Sequence, residues 1–273
     1  MSMNPQFKLR STIPLHTGRR IPVLGLGTWQ LTDDTPATIV RALEFGYPMI
    51  DTSGDYGTQP GIGEAIRQAG SPRESFYLVS KVEENENAYQ ATHRNLSELG
   101  LDYADLMLIH RPPDDGVGEV LWEGLLQARR EGLTRDIGVS NYSIEQIREL
   151  TEMTDEKPCV NQIEWTPFGC SRQMQDYCRE NQIVIQAYSP LTRTERFDDS
   201  TLAGISQGLG KSPAQVLIRW NLQRGTVPIP KANRVEHLQE NLDVFDFELS
   251  DDDMAALDNL NEHYSSLGTL PYV

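Results

Sequence analysis

The stretch YPMIDTSGDYG, residues 47–57, decides the fold. A short apolar run, Tyr47 to Ile50, stops at a carboxylate, Asp51, and a small turn-prone segment then carries Tyr56. The same shape returns twice: Phe76 to Val79 is followed by Lys81, and Leu106 to Ile109 by His110. Helical periodicity fills the segments between the runs, so the order reads strand, helix, strand, helix. Polar residues at successive strand ends converge on one mouth of a parallel barrel, where barrel enzymes keep their chemistry.

The four side chains form a proton-transfer set. A tyrosine is a poor acid near neutral pH, with a reference pKa of about 10. A lysine ammonium beside it stabilises the phenolate, and an aspartate holds that lysine charged. A histidine N–H fixes a carbonyl oxygen next to the phenol.

Working outward, further motifs accompany the set in order: GLGTW at 25–29, LVSK ending at Lys81, DLMLIH ending at His110, IGVSNY at 137–142, NQIEWTP at 161–167 and VPIPKA at 227–232. Together with DTSGDYG at 51–57 they resemble the aldo-keto reductases, from about residue 12 to about residue 260. Within the family the pattern is nearest the bacterial diketogluconate and methylglyoxal reductase-like members. The resemblance implies an α/β fold, a (β/α)8 TIM barrel with an N-terminal β-hairpin and an extra C-terminal helix, and NADPH-dependent reduction of an aldehyde or ketone. Tyr56 would be the general acid, Asp51 and Lys81 its tuning pair, and His110 the group that orients the carbonyl.

The same resemblance assigns a cofactor site. Gly27, Thr28 and Asp51 would line it; Ser140, Asn141 and Gln162 would bind the nicotinamide carboxamide, and Tyr188 would stack on the ring. Ser189 and Leu191 would touch the pyrophosphate, Lys231 the ribose phosphate, and Glu240 and Asn241 the adenine. Relatives usually follow the lysine with serine or threonine and place arginine six residues after it; here those positions are Ala232 and His237. Histidine, mostly neutral at neutral pH, cannot make the forked contact of a guanidinium. Discrimination against NADH is therefore expected to be weak unless Arg234 compensates. Gly25-Leu26-Gly27 opens no helix, so a Rossmann phosphate loop is not expected.

The substrate wall departs too. Trp29 is the aromatic wall of many relatives, but Glu83 and Arg111 stand where relatives often carry aromatics. With Tyr56 and His110 they are the expected substrate contacts, and two opposite charges at the mouth favour small polar carbonyls such as keto-aldehydes and keto sugars. The alternative for Glu83 and Arg111 is a solvated rim pair. Gln59 replaces a glutamate usual in the family, a change the sequence does not explain.

The 273-residue chain suits one barrel domain, 1–273. A formal net charge of −16 argues against nucleic acid and anionic membrane partners. Arginine outnumbers lysine and acidic clusters such as Asp251 to Asp253 recur, a pattern of salty cytoplasms and equally of ordinary acidic enzymes. No apolar run is long enough to span a bilayer, and MSMNPQFKLR lacks a signal-peptide core, so a cytoplasmic protein is expected. Cys159, Cys170 and Cys178 fit neither a disulfide framework nor a zinc site, and no metal is expected. The family commonly forms monomers.

Ile13 to His16 and Arg20 to Val23 flank a Thr17-Gly18 turn, a hairpin expected to close the barrel bottom. Helices are expected at 35–45, 61–69, 86–99, 118–131, 143–152, 171–181, 212–224 and 234–241, with one more from Ser250 to about Leu260. Segment 191–200 reads as a small flap, and Tyr264, Leu267, Leu270 and Tyr272 as lid residues in a short tail that leaves an open pocket. Two other functions stay open on the residues alone: a Schiff-base lyase using Lys81, and a non-catalytic cofactor-sensing subunit.

Overall fold

A computed structural model describes residues 7–31, 34–270 and 272. Residues 1–6, part of the segment read for a leader, lie outside the described residues. A hairpin of β1 (Thr12–Pro14) and β2 (Arg20–Pro22) precedes the barrel. The barrel strands are β3 (Leu26–Gly27), β4 (Met49–Asp51), β5 (Tyr77–Val82), β6 (Ala104–Ile109), β7 (Thr134–Ser140), β8 (Val160–Glu164), β9 (Val184–Tyr188) and β10 (Val227–Pro228). They pair parallel in sequential order from β3 to β10. The seam closes because the Gly25 and Gly27 amides donate to the carbonyls of Pro228 (3.0 Å) and Pro230 (3.2 Å). A Cβ on Gly27 would stand 2.6 Å from the Ile229 carbonyl oxygen, so only glycine lets the two backbones meet there.

The helices are α1 (Thr35–Glu44), α2 (Gln59–Ala69), α3 (Ala88–Leu99), α4 (Glu119–Arg130), α5 (Ile144–Thr154), α6 (Arg172–Glu180), α7 (Ser200–Leu209), α8 (Pro213–Gln223), α9 (Val235–Leu242) and α10 (Asp251–Asp258). Their starts follow the sequence signals. Asp34, Asn87 and Ser171 accept a hydrogen bond from the third residue onward, and Ser143, Ser212 and Ser250 form reciprocal capping boxes with Gln146, Gln215 and Asp253. Ser71-Pro72 introduces only the single 3-10 turn Arg73–Ser75, without a side-chain cap.

The helix α7 was not expected from the sequence. Gly204 and Gly208 each cost about 1 kcal/mol of helix propensity, and the segment forms because the Asp199 carboxylate caps the amides of Thr201 and Leu202 while Leu202 is buried.

Strand periodicity separates two apolar layers. Met49, Val79, Leu106, Leu108, Val160, Val184, Val227 and Ile229 pack together inside the barrel, joined by Leu15 and Ile21 of the hairpin region. Ile50, Leu78, Val82, Met107, Ile109, Val139, Ile163 and Ala187 pack outward with the helices. Successive strand side chains face opposite ways. Asp51, Lys81 and His110 therefore share the inner face with Met49, Val79 and Leu108, one step nearer the C-terminal mouth. Asp136 and Ser140 lie on the inner face of β7 at opposite ends. At the bottom, Arg19 of the hairpin turn reaches the Asp136 carboxylate at 3.5 Å.

Candidate active site

Asp51 ends β4, Lys81 lies next to last in β5, and His110 follows β6 directly. Lys81 is thus inside its strand rather than beyond it. Tyr56 arrives on the 3-10 turn Gly54–Tyr56, whose exit is Gly57 in the left-handed region at φ 67°. Lys81 is fully buried, and its Nζ donates to Asp51 Oδ1 (2.7 Å), the Thr52 carbonyl (2.8 Å) and the Tyr56 hydroxyl (3.3 Å). Asp51 Oδ2 accepts from Gln162 Nε2 at 2.7 Å, and that same amide nitrogen donates to Gln186 Oε1 at 2.7 Å. Gln186, an inward polar residue on β9, escaped the sequence reading; its spacing from Val184 and Tyr188 is the signal that places it on the inner face.

Burial works against the Lys81 ammonium, but Asp51 and the Tyr56 oxygen overcome it and hold its pKa above the ordinary lysine value. For Tyr56 burial dominates and raises the phenol pKa, while Lys81 pulls it back. The phenol therefore stays protonated at neutral pH, as a proton donor must, and the lysine lowers the cost of the phenolate left behind.

A cleft of about 650 Å³ opens on these groups. Gly27, Thr28, Trp29, Asp51, Tyr56, His110, Arg111, Ser140, Asn141, Gln162, Tyr188, Ser189, Leu191, Lys231, Ala232, Arg234 and His237 all line it. Gln30, Pro190, Ile229, Pro230 and Asn233 line it as well and were missed; Ile229 shares the inward face of Val227 and Lys231, whereas the loop residues carry no periodic signal. Asn141 Oδ1 accepts from the Tyr188 hydroxyl (2.8 Å), and its Nδ2 donates to the His110 carbonyl (3.1 Å). Ser140 Oγ donates to the Gln162 carbonyl at 2.8 Å.

Three expected contacts fall elsewhere. Glu240 and Asn241 do not line the cleft: both sit in α9, with Asn241 buried and its Nδ2 without a hydrogen-bond partner. Glu83 does not line it either, because its carboxylate is taken up behind His110, with both oxygens within 2.9 Å of Nδ1. Arg111 alone of the charge pair faces the cleft, its guanidinium 3.4 Å from Glu83 and 3.9 Å from Asp55.

The flap segment forms a 3-10 turn, Thr192–Thr194, in which all three residues have positive φ. Arg193 crosses the cleft to stack over Trp29 at 5.4 Å. Of the lid residues only Leu267 lines the cleft. Tyr272 packs on Trp165 at 5.9 Å and Leu270 is buried, while Tyr264 covers Arg196. The tail is latched by Glu164, which accepts from the Ser265 hydroxyl (2.6 Å) and the Ser266 amide (2.8 Å).

Gln59 now has a physical account. Its amide oxygen accepts from Ser80 (2.8 Å) while its nitrogen donates to Glu98 (2.8 Å). A glutamate there would bury a carboxylate and set it against the exposed carboxylate of Glu98.

Residues 23–262 match the family model described as Aldo/keto reductase family. The chain belongs to that family. This aldo/keto reductase is 38% identical over 260 residues to the glyoxal reductase of Bacillus subtilis (strain 168), covering 93% of this chain and 94% of that one. The fold agrees at TM-score 0.91 and 31% identity with an aldo-keto reductase from a Medee basin deep-sea metagenome library, over 96% of this chain and 99% of that chain. It agrees at TM-score 0.89 and 30% identity with a Bombyx mori aldo-keto reductase solved in complex with NADP, over 95% of each chain. As in those structures the architecture is a (β/α)8 barrel. Among the described residues no helix is long and apolar enough to cross a membrane.

Proposed function

We propose that this reductase converts a small polar aldehyde or ketone, such as a keto-aldehyde or keto sugar, to the alcohol with NADPH. The observation that carries the reading is the buried chain Asp51–Lys81–Tyr56 at the floor of the cleft, with Lys81 Nζ 2.7 Å from the carboxylate and 3.3 Å from the phenol. His110 stands beside Tyr56, its ring edge-on at 5.7 Å between centroids.

The cleft's donor set fits a phosphorylated dinucleotide. One end is polar, with Asn141 and Gln162 toward the barrel axis; the other gathers the cations Lys231 and Arg234, with His237 beside them, in a protein of net charge −16. Such a cofactor supplies the hydride when bound. Tyr188 would pack on its ring, Ser140, Asn141 and Gln162 would orient the ring's amide, and Arg193 would cover the pyrophosphate from the flap.

The chain's own residues then manage the proton. His110 holds the carbonyl oxygen within reach of the Tyr56 hydroxyl. As negative charge develops on that oxygen, Tyr56 gives up its proton, and Lys81, kept charged by Asp51, stabilises the phenolate. Lys81 is poorly suited to Schiff-base chemistry, because it is fully buried, has its pKa raised and spends its hydrogens on three fixed acceptors. A glyoxal reductase among the relatives supports dicarbonyl substrates. The test is NADPH oxidation by the purified chain against short aldehydes, keto-aldehydes, keto sugars and aromatic aldehydes. Turnover confined to apolar carbonyls sinks the substrate class, and no turnover with any carbonyl sinks the reading.

A further inference from the structure

The contact between Glu83 and His110 bears on how the histidine is protonated. Both carboxylate oxygens approach His110 Nδ1, at 2.8 and 2.9 Å. The Ser53 hydroxyl donates to Glu83 Oε1 at 3.0 Å, and Arg111 Nη1 lies 3.4 Å from Oε2, so the carboxylate is held in place from two further sides. Burial raises the Glu83 pKa, but the bonds from His110 and Ser53 and the Arg111 charge bring it below the ordinary glutamate value. An ionised carboxylate accepts and does not donate, so the proton on this side of the ring belongs to Nδ1.

That assignment constrains the other nitrogen. Nδ1 is committed, so Nε2 is the ring nitrogen left for the cleft that His110 lines. A neutral ring with its proton on Nδ1 presents a bare lone pair at Nε2, which repels a carbonyl oxygen. Only the doubly protonated ring has an Nε2–H to offer. Glu83 touches Nδ1, Asp55 lies 3.6 Å from it, and Arg111 stands at the neighbouring position, pairing with both acids. The remaining titratable neighbour is Tyr56, with Lys81 on its far side, 4.8 Å from the ring centroid.

We propose that Glu83 is a positioning residue that fixes the Nδ1–H proton of His110 and holds the ring as an imidazolium, so that Nε2–H donates to the substrate carbonyl beside Tyr56. The inference rests on the reductase reading for its catalytic consequence, but not for the protonation state itself. It also explains why a glutamate follows two residues after the lysine and an arginine directly after the histidine: Glu83 serves the ring, and Arg111 helps pin Glu83.

Two measurements on the full chain test it. In 15N-labelled protein, the five histidines give resolvable ring signals, and His110→Gln identifies those of His110. Both ring nitrogens of His110 in the wild type should report as protonated at neutral pH. In Glu83→Gln the midpoint of that titration should fall by about one pH unit or more, the usual effect of removing an adjacent opposite charge. The alkaline limb of kcat/KM for methylglyoxal with NADPH should move down by the same amount, so that the defect grows with pH and fades under acid conditions. The Kd for NADPH should not change. A neutral His110 ring at neutral pH in the wild type overturns the proposal even if Glu83→Gln does not fold, as does a variant whose ring titration and pH profile match the wild type. Absence of NADPH oxidation by the wild type would instead overturn the reductase reading, leaving the ring titration to decide the protonation state.

Discussion

Gln162 on β8 reaches across the barrel to Asp51 on β4, its amide nitrogen 2.7 Å from the carboxylate oxygen that Lys81 leaves free. The aspartate is thereby satisfied on both sides, by a charge and by a neutral donor, and the lysine is fixed with respect to both halves of the mouth. A buried ion pair so enclosed tolerates loss of neither partner.

Tyr56→Phe removes the hydroxyl and leaves the pair intact. Carbonyl reduction should fall by at least about a hundredfold, the lower range for losing a general acid, with the melting temperature and the NADPH Kd unchanged. Retention of most activity would remove Tyr56 from the mechanism.

Lys81→Met should be as damaging to turnover and should also destabilise the fold. It strands Asp51 as a buried charge with only Gln162 for a partner, at a cost of about 3–5 kcal/mol. Denaturant unfolding of the two variants separates them: Tyr56→Phe follows the wild type, and Lys81→Met shifts to lower midpoint.

Cofactor choice rests on the cationic end of the cleft. NADPH should be preferred through Lys231 and Arg234, but modestly, because Ala232 and His237 stand where relatives carry phosphate contacts. The double substitution Ala232→Ser, His237→Arg should tighten NADPH by ~1–3 kcal/mol and leave NADH alone, measured as Kd for each. No change in the ratio would give the discrimination to Arg234.

Arg111 is the member of the charge pair that lines the cleft, so on the proposed function Arg111→Trp should lower kcat/KM for a polar aldehyde relative to an apolar one of matched size. Stripping water from a charged guanidinium penalises an apolar partner, and the tryptophan removes that penalty. An unchanged ratio would make Arg111 a rim charge whose role ends at Glu83.

At the opposite end of the barrel, Asp136 is buried, and burial raises its pKa despite the Thr17 hydroxyl and the Arg19 charge beside it. Folding there favours the protonated acid, so the stability it contributes declines as pH rises from the ordinary carboxylate range through the raised value. Asp136→Asn should therefore stabilise the protein at neutral pH by roughly 1–2 kcal/mol, and the gain should vanish in acid. Thermal unfolding at several pH values checks the sign.

The architecture and the floor of the site were legible because they are written in local order. Asp51, Lys81 and His110 follow apolar runs, and strand alternation alone puts them on one face. Tyr56 and the lining residues of β7 to β9 needed the family motifs, since a turn has no period to read. The role of Glu83 was not legible: two residues beyond Lys81 it looked like a substrate contact, but β5 ends at Val82, and the chain then turns its carboxylate behind the ring of β6. Which of two neighbouring charges meets the histidine is a matter of packing between strands, absent from either strand's sequence. Helix α7 was hidden for the opposite reason, its weak local propensity outweighed by a cap and one buried leucine.

The seam where Gly25 and Gly27 meet Pro228 and Pro230 joins segments from opposite ends of the chain. A growing polypeptide presents β3 as a bare hydrogen-bonding edge until nearly all of it has left the ribosome, a hazard for pairing with other chains. Such a non-local closure also costs the most loop entropy, and so delays folding. The glycine that permits the closest approach is thus a point of control over how fast, and how cleanly, the molecule matures. A bulkier residue at Gly27 should show itself in slow refolding and aggregation before it shows in catalysis.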